Sequence, residues 1–272
     1  MSTVTGAGSM TTLQSKLAQA KASGRAAFVG YLPVGFPDVP TSIEAMKAMA
    51  AAGADIIEIG VPYSDPGMDG PTIQAAVEPA VRAGVGMRDV LAAVEAVAAS
   101  GAAPVVMSYW NPIEHYGVRR FATDLAAAGG SGAITPDLIP DEAQPWLAAS
   151  DEFGLDRVFL VAPSSTDARL KMTTSYCRGF VYVASTMGVT GVRDAVNDAA
   201  QTLVARTRAV TDLPVCVGLG VSTPEQAREI AAFADGVIVG SALVRQLLDS
   251  PDTAGVRAVG ELTAHLCGGL AG

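Results

Sequence analysis

The sequence predicts an α/β fold, a single-domain (β/α)8 barrel, and three observations carry that prediction. Eight short β-branched runs alternate with longer alanine-rich stretches, and such alternation implies a parallel sheet with helical crossovers. Runs such as Ile56-Ile57-Glu58-Ile59 and Gly236-Val237-Ile238-Val239 are almost continuously apolar, as strands covered on both faces are. The chain has 272 residues, 50% of them hydrophobic, which suits one barrel of ~250 residues. No linker divides it, and eight unbroken units favour a closed barrel over an open doubly wound sheet.

The elements follow in order. Met1–Met10 is Ser/Thr/Gly-rich without an apolar signal region and reads as a flexible lead, leaving residues 11–272 for the barrel. Strands are expected at Ala27–Leu32, Asp55–Gly60, Pro104–Tyr109, Gly132–Thr135, Arg157–Ala162, Phe180–Ser185, Pro214–Gly218 and Gly236–Val239. Thr41 to Gly53 carries apolar residues on one helical face, and Gly53 can end that helix. Arg88 to Ser100 and Thr223 to Phe233 read the same way. Ser222-Thr223-Pro224-Glu225 supplies a cap, a first-turn proline and an acid near the helix N-terminus.

Charge and composition exclude several classes. With 27 acidic and 18 basic residues the formal net charge is −9, so the chain has no broad electrostatic footprint for nucleic acid. A bound phosphate must then be held by local backbone dipoles. No apolar run is long enough to span a membrane. Cys177, Cys216 and Cys267 match no metal or redox spacing and read as reduced thiols of a cytoplasmic protein. His115 and His265 lie far apart, so no metal site is expected.

Barrel active sites lie at the C-terminal ends of the strands, which directs attention to the residues there. Glu58 sits in the second strand between isoleucines. Burial there disfavours its ionised form and raises its pKa, as a general acid near neutral pH requires; a buried ion pair with a hidden Lys or Arg is the structural alternative. A long Pro- and Gly-rich loop follows, from Gly60 to Thr72. It offers Asp65 and Asp69 as a second carboxylate, or as turn and cap residues, and spacing alone does not choose. Gly218-Leu219-Gly220 after strand seven and Gly240-Ser241 after strand eight each lead into a helix, the second at Ala242. Backbone N–H groups at such helix N-termini bind phosphate; tight turns are the plainer reading. Thr186 to Asp194, after strand six, has two glycines and reads as a lid or a static turn. Tyr182 either faces the barrel mouth or packs in the core.

Together these residues resemble one family. Glu58-Ile59-Gly60-Val61-Pro62-Tyr63-Ser64-Asp65-Pro66, then Asp69-Gly70-Pro71-Thr72-Ile73-Gln74, is similar to the signature of the tryptophan synthase α subunit, a TIM barrel. Gly188-Val189-Thr190-Gly191, Gly218-Leu219-Gly220, Gly240-Ser241-Ala242, Tyr109-x-Asn111-Pro112 and Asp137-Leu138-Ile139-Pro140 extend the resemblance from about Gly24 to Val244. It implies a lyase of tryptophan biosynthesis that cleaves indole-3-glycerol phosphate to indole and glyceraldehyde 3-phosphate. No cofactor is implied for this chain; pyridoxal phosphate belongs to a partner β subunit, in an α2β2 assembly. By the same resemblance Glu58 and Asp69 are catalytic. Tyr31 and Tyr109 line the indole pocket, and Tyr182 and Thr190 help place the substrate and Asp69. Gly191, Gly220, Gly240 and Ser241 hold the phosphate, while Pro62, Asp65 and Pro140 meet the β partner. Many members carry Arg and Ser where this chain has Thr186 and Met187, and smaller residues at Trp110. A stand-alone lyase using the same residues is the competing reading.

Overall fold

The computed structural model describes residues 12–184 and 193–270, with backbone alone for residues 193–197. The expected lead Met1–Met10 falls outside the described residues. Among the described residues eight parallel strands form the sheet: β1 (Ala27–Pro33), β2 (Ile56–Gly60), β3 (Ala103–Met107), β4 (Gly132–Ile134), β5 in two pieces (Asp156–Val158 and Leu160–Val161), β6 (Val181–Ala184), β7 (Val215–Gly218) and β8 (Gly236–Val239). Each expected strand is present, with ends shifted by a few residues at most. The first piece of β5 pairs with β4 and the second with β6, while β8 pairs with β1. The sheet therefore closes on itself through Phe159, whose carbonyl accepts Tyr182 N–H at 3.3 Å.

Alternation along the strands makes two cores. Ala27 and Val29, Ile56, Val105, Ile134, Val158, Cys216 and Ile238 point into the barrel. Phe28, Ile57, Ile59, Val106, Val217 and Val239 pack outward under the helices. Both faces of each strand are buried, hence the nearly continuous apolar runs. Helix Thr12–Ala22 closes the N-terminal end, where Leu13 and Leu17 join the interior cluster.

Local chemistry sets the helix ends. Helix Val39–Ala51 is capped by Asp38, which accepts Thr41 N–H at 2.7 Å. The chain leaves that helix through Gly53 at φ +105°, a conformation that disfavours a side chain. Helix Met87–Ser100 likewise stops at left-handed Gly101. Helix Pro224–Ala231 is capped by Thr223 and ends two residues before Phe233; Ser222 instead binds the Gln226 side chain. Helix Pro71–Arg82 starts after Gly70, with Pro71 where an N–H has no partner to lose. Helix Ser241–Asp249 begins one residue before the expected Ala242, and helix Arg193–Arg208 begins within the stretch expected as the lid. Cys177, Cys216 and Cys267 are free thiols. Among the described residues no helix is long and apolar enough to cross a membrane.

Candidate active site

Strand register builds the floor of the site. Glu58 lies two residues beyond Ile56 and so points into the barrel, with Tyr31 of β1 and Val105 of β3 as its register partners. It is only 2% exposed, and its Oε2 has no hydrogen-bond partner. Burial pushes its carboxyl up to about 8, and the charge of Asp69 adds to that push. No Lys or Arg among the described residues forms an ion pair with it, so the hidden cation of the structural alternative is missing there.

The loop after β2 settles which aspartate faces the cavity. Asp69 borders a cleft of about 580 Å³ together with Glu58, Tyr31 and Tyr182. Asp65 is exposed away from that lining and accepts the Ser64 hydroxyl at 2.6 Å. Burial raises the Asp69 pKa, while a hydrogen bond from Tyr109 pulls it back. Tyr109 Oη lies 3.4 Å from Asp69 Oδ1 and accepts Met68 N–H at 2.8 Å.

Two glycines make room for tyrosines, a need that sequence reasoning did not see at either. A Cβ on Gly60 would stand 2.5 Å from Tyr31 Oη, and one on Gly218 would stand 2.8 Å from Tyr182 Oη. Burial holds both phenols well above their usual range, with Asp69 and Glu58 adding to the effect at Tyr31 and Glu58 at Tyr182. Both stay neutral donors at the mouth of the barrel. Met107, Leu160 and Ile238 form an apolar wall suited to a flat ring.

Across the cleft stand Gly218, Gly220, Gly240 and Ser241. Gly220 has φ +64°, and Gly240 is the N-cap of helix Ser241–Asp249. The first N–H groups of a helix lack intrahelical acceptors and carry its positive dipole end, so this edge can hold an oxyanion. Arg245 of that helix donates to Thr72 Oγ1 at 2.9 Å, linking the oxyanion edge to the helix that follows Asp69.

The structure thus brings Tyr31, Glu58, Asp69, Tyr182, Gly220, Gly240 and Ser241 to one cleft. Tyr109 meets that cleft through Asp69, with its hydroxyl 3.4 Å from Asp69 Oδ1. Thr190 and Gly191, like Thr186 and Met187, lie outside the described residues. Pro62 and Pro140 are buried in this chain, whereas Asp65 is exposed. Sequence reasoning did not single out Met68, Thr72, Ile73 or Leu160, which also line the cleft; the position of Leu160 at a strand end was the available signal. Among the described residues no group of three or more His, Cys, Asp or Glu could hold a metal ion.

The family model for the tryptophan synthase alpha chain matches residues 17–265. The chain is 61% identical over 265 residues to the tryptophan synthase alpha chain of Thermobifida fusca, covering 96% of this chain and 98% of that one. It is 62% identical over 250 residues to that of Mycobacterium marinum, covering 92% and 91%. A crystal structure of tryptophan synthase from M. tuberculosis superposes with a TM-score of 0.89 at 56% identity, covering 96% of this chain and 99% of that one. The alpha subunit from Legionella pneumophila str. Paris gives 0.87 at 30% identity, covering 96% and 98%.

Proposed function

The chain belongs to the tryptophan synthase alpha chain family, lyases of tryptophan biosynthesis that act with a β subunit, and from that premise we propose that Glu58 and Asp69 carry the cleavage of indole-3-glycerol phosphate to indole and glyceraldehyde 3-phosphate. The observation that supports this reading most is Glu58 itself: buried, without a cation among the described residues, and raised to about 8. Near neutral pH it is mostly protonated and can donate.

Cleavage of the carbon–carbon bond needs a proton on indole C3 and the loss of a proton from the glycerol hydroxyl at the carbon attached to it. Glu58 protonates C3 and, as carboxylate, accepts the hydroxyl proton as the bond breaks. Protonation at C3 leaves positive charge on the indole nitrogen. Asp69, ionised, accepts the indole N–H bond and stabilises that charge. Tyr31 and Tyr182 place the substrate, the apolar wall receives the indole, and Gly220, Gly240 and Ser241 hold the phosphate through N–H groups. Gly191 completes that set by family resemblance, and Thr190 helps place Asp69.

The β partner, in an α2β2 assembly and carrying pyridoxal phosphate, docks beside the loops after β2 and β4. Exposed Asp65 lies there with Met68 and Ile139, the two large hydrophobics exposed among the described residues, 53% and 41%. Buried Pro62 and Pro140 shape those loops from beneath.

Indole release from indole-3-glycerol phosphate by the purified chain, with and without added β subunit, tests the reading. We expect slow release by the chain alone and faster release with the partner. No indole in either case, from a folded chain, contradicts the function; equal rates contradict the partnership and favour a stand-alone lyase.

A further inference from the structure

A carboxylate that must meet a ring nitrogen sits on a loop, and something must hold it there within a fraction of an ångström. Among the described residues Asp69 is held by few contacts. Gln74 Nε2 donates to its carbonyl at 2.7 Å. The other anchor is the phenol of Tyr109, which comes from the end of β3, 40 residues away in sequence. Its oxygen accepts the N–H of Met68, the residue before Asp69, at 2.8 Å. With its acceptor side occupied by that N–H, the phenolic proton can turn to Asp69 Oδ1 at 3.4 Å. That separation is long for a hydroxyl–carboxylate bond, and such bonds often tighten only when substrate is bound.

The phenol is itself fixed. Tyr109 is 7% exposed and occupies the position just before helix Trp110–Tyr116. Its ring packs on Tyr63 with centroids 5.4 Å apart, and Tyr63 Oη accepts Asn111 Nδ2 at 3.2 Å. Trp110 N–H donates to Asp137 Oδ1 at 2.9 Å, which braces the same corner against the loop after β4. Tyr109 therefore ties the loop after β3 to the loop that carries Asp69.

We propose that Tyr109 is a positioning residue that acts through Asp69: its hydroxyl fixes the Met68–Asp69 backbone and donates to the carboxylate, keeping Asp69 ionised and aimed at the indole nitrogen. This rests on the catalytic reading of Asp69. It is a role beyond lining the indole pocket, where the resemblance places the same side chain. The hydrogen bond lowers the Asp69 pKa against the opposite effect of burial, in the sense the role requires.

Tyr109→Phe keeps the ring and its packing and removes the hydroxyl. In protein carrying carboxyl-¹³C aspartate, with the Asp69 signal assigned through Asp69→Asn, we expect the Asp69 titration midpoint to rise in the Phe variant. We also expect kcat to fall about tenfold with little change in KM, and the acid limb of the kcat/KM profile to move to higher pH. An unmoved Asp69 midpoint overturns the proposal, whatever happens to the rate. A near-normal rate for Asp69→Asn overturns the catalytic reading instead, so the two failures are told apart. If Tyr109→Phe does not fold, Asn111→Ala tests the same corner through Tyr63: it must raise the Asp69 midpoint in the same direction, and a midpoint unchanged there also overturns the proposal.

Discussion

An ionised carboxyl at position 58 would lose its hydration without gaining a cation among the described residues, and this is why the side chain holds its proton up to about 8. The same fact has a consequence for stability. Its folded-state pKa lies above the ordinary 4.5, so between those values the folded chain binds more protons than the unfolded one. Stability contributed by neutral Glu58 is fully present below about pH 4.5 and is lost as pH rises through about 8. Glu58→Gln removes that titration. Denaturant unfolding should show the Gln variant gaining on the native chain as pH rises from 5 to 8.5, by an amount on the order of a few kcal/mol. A stability difference that is the same at both pH values would mean that Glu58 titrates normally. At this scale Glu58 was legible because its neighbours Ile56, Ile57 and Ile59 announce burial. The choice of Asp69 over Asp65 came from the resemblance alone, because it depends on how the loop folds against Tyr109, which local spacing does not record.

Elements explain the oxyanion edge. Helix Ser241–Asp249 points its N-terminus into the cleft because β8 ends there and Gly240 turns the chain. An acid in the first turn of a helix interacts favourably with its dipole, yet it repels a phosphate placed at the same N–H groups. Ser241→Asp should therefore leave the melting temperature unchanged or higher while raising KM for indole-3-glycerol phosphate at least about tenfold, or ~1.4 kcal/mol of binding. An unchanged KM would place the phosphate elsewhere. Strand existence and order were legible, since period and β-branching report them directly. Helix ends were less so: Thr223 rather than Ser222 caps its helix because only its hydroxyl meets Gln226 N–H. That the glycines at 60 and 218 make room for tyrosines was not legible, because those tyrosines come from neighbouring strands.

At the scale of the whole molecule, closure of the ring turns separate strand ends into one site. The two pieces of β5 complete the sheet around Phe159, helix Thr12–Ala22 seals the far end, and the cleft opens at the end that carries the β2 loop and the helix at Ser241. Eight units in the sequence implied closure, but the break in β5 arises from packing around the ring and leaves no local mark. The helical seal was hidden for the same reason: Leu13 and Leu17 gain their place only when the open end of the barrel receives them. The central claim is that the barrel holds Glu58 neutral beside an indole that carries a glycerol phosphate, and indole release by Glu58→Gln tests it most directly. With β subunit present and native folding verified by circular dichroism, the account predicts a loss of ~10²–10⁴-fold in kcat relative to the unsubstituted chain. A folded Glu58→Gln variant that releases indole at a near-normal rate would contradict it.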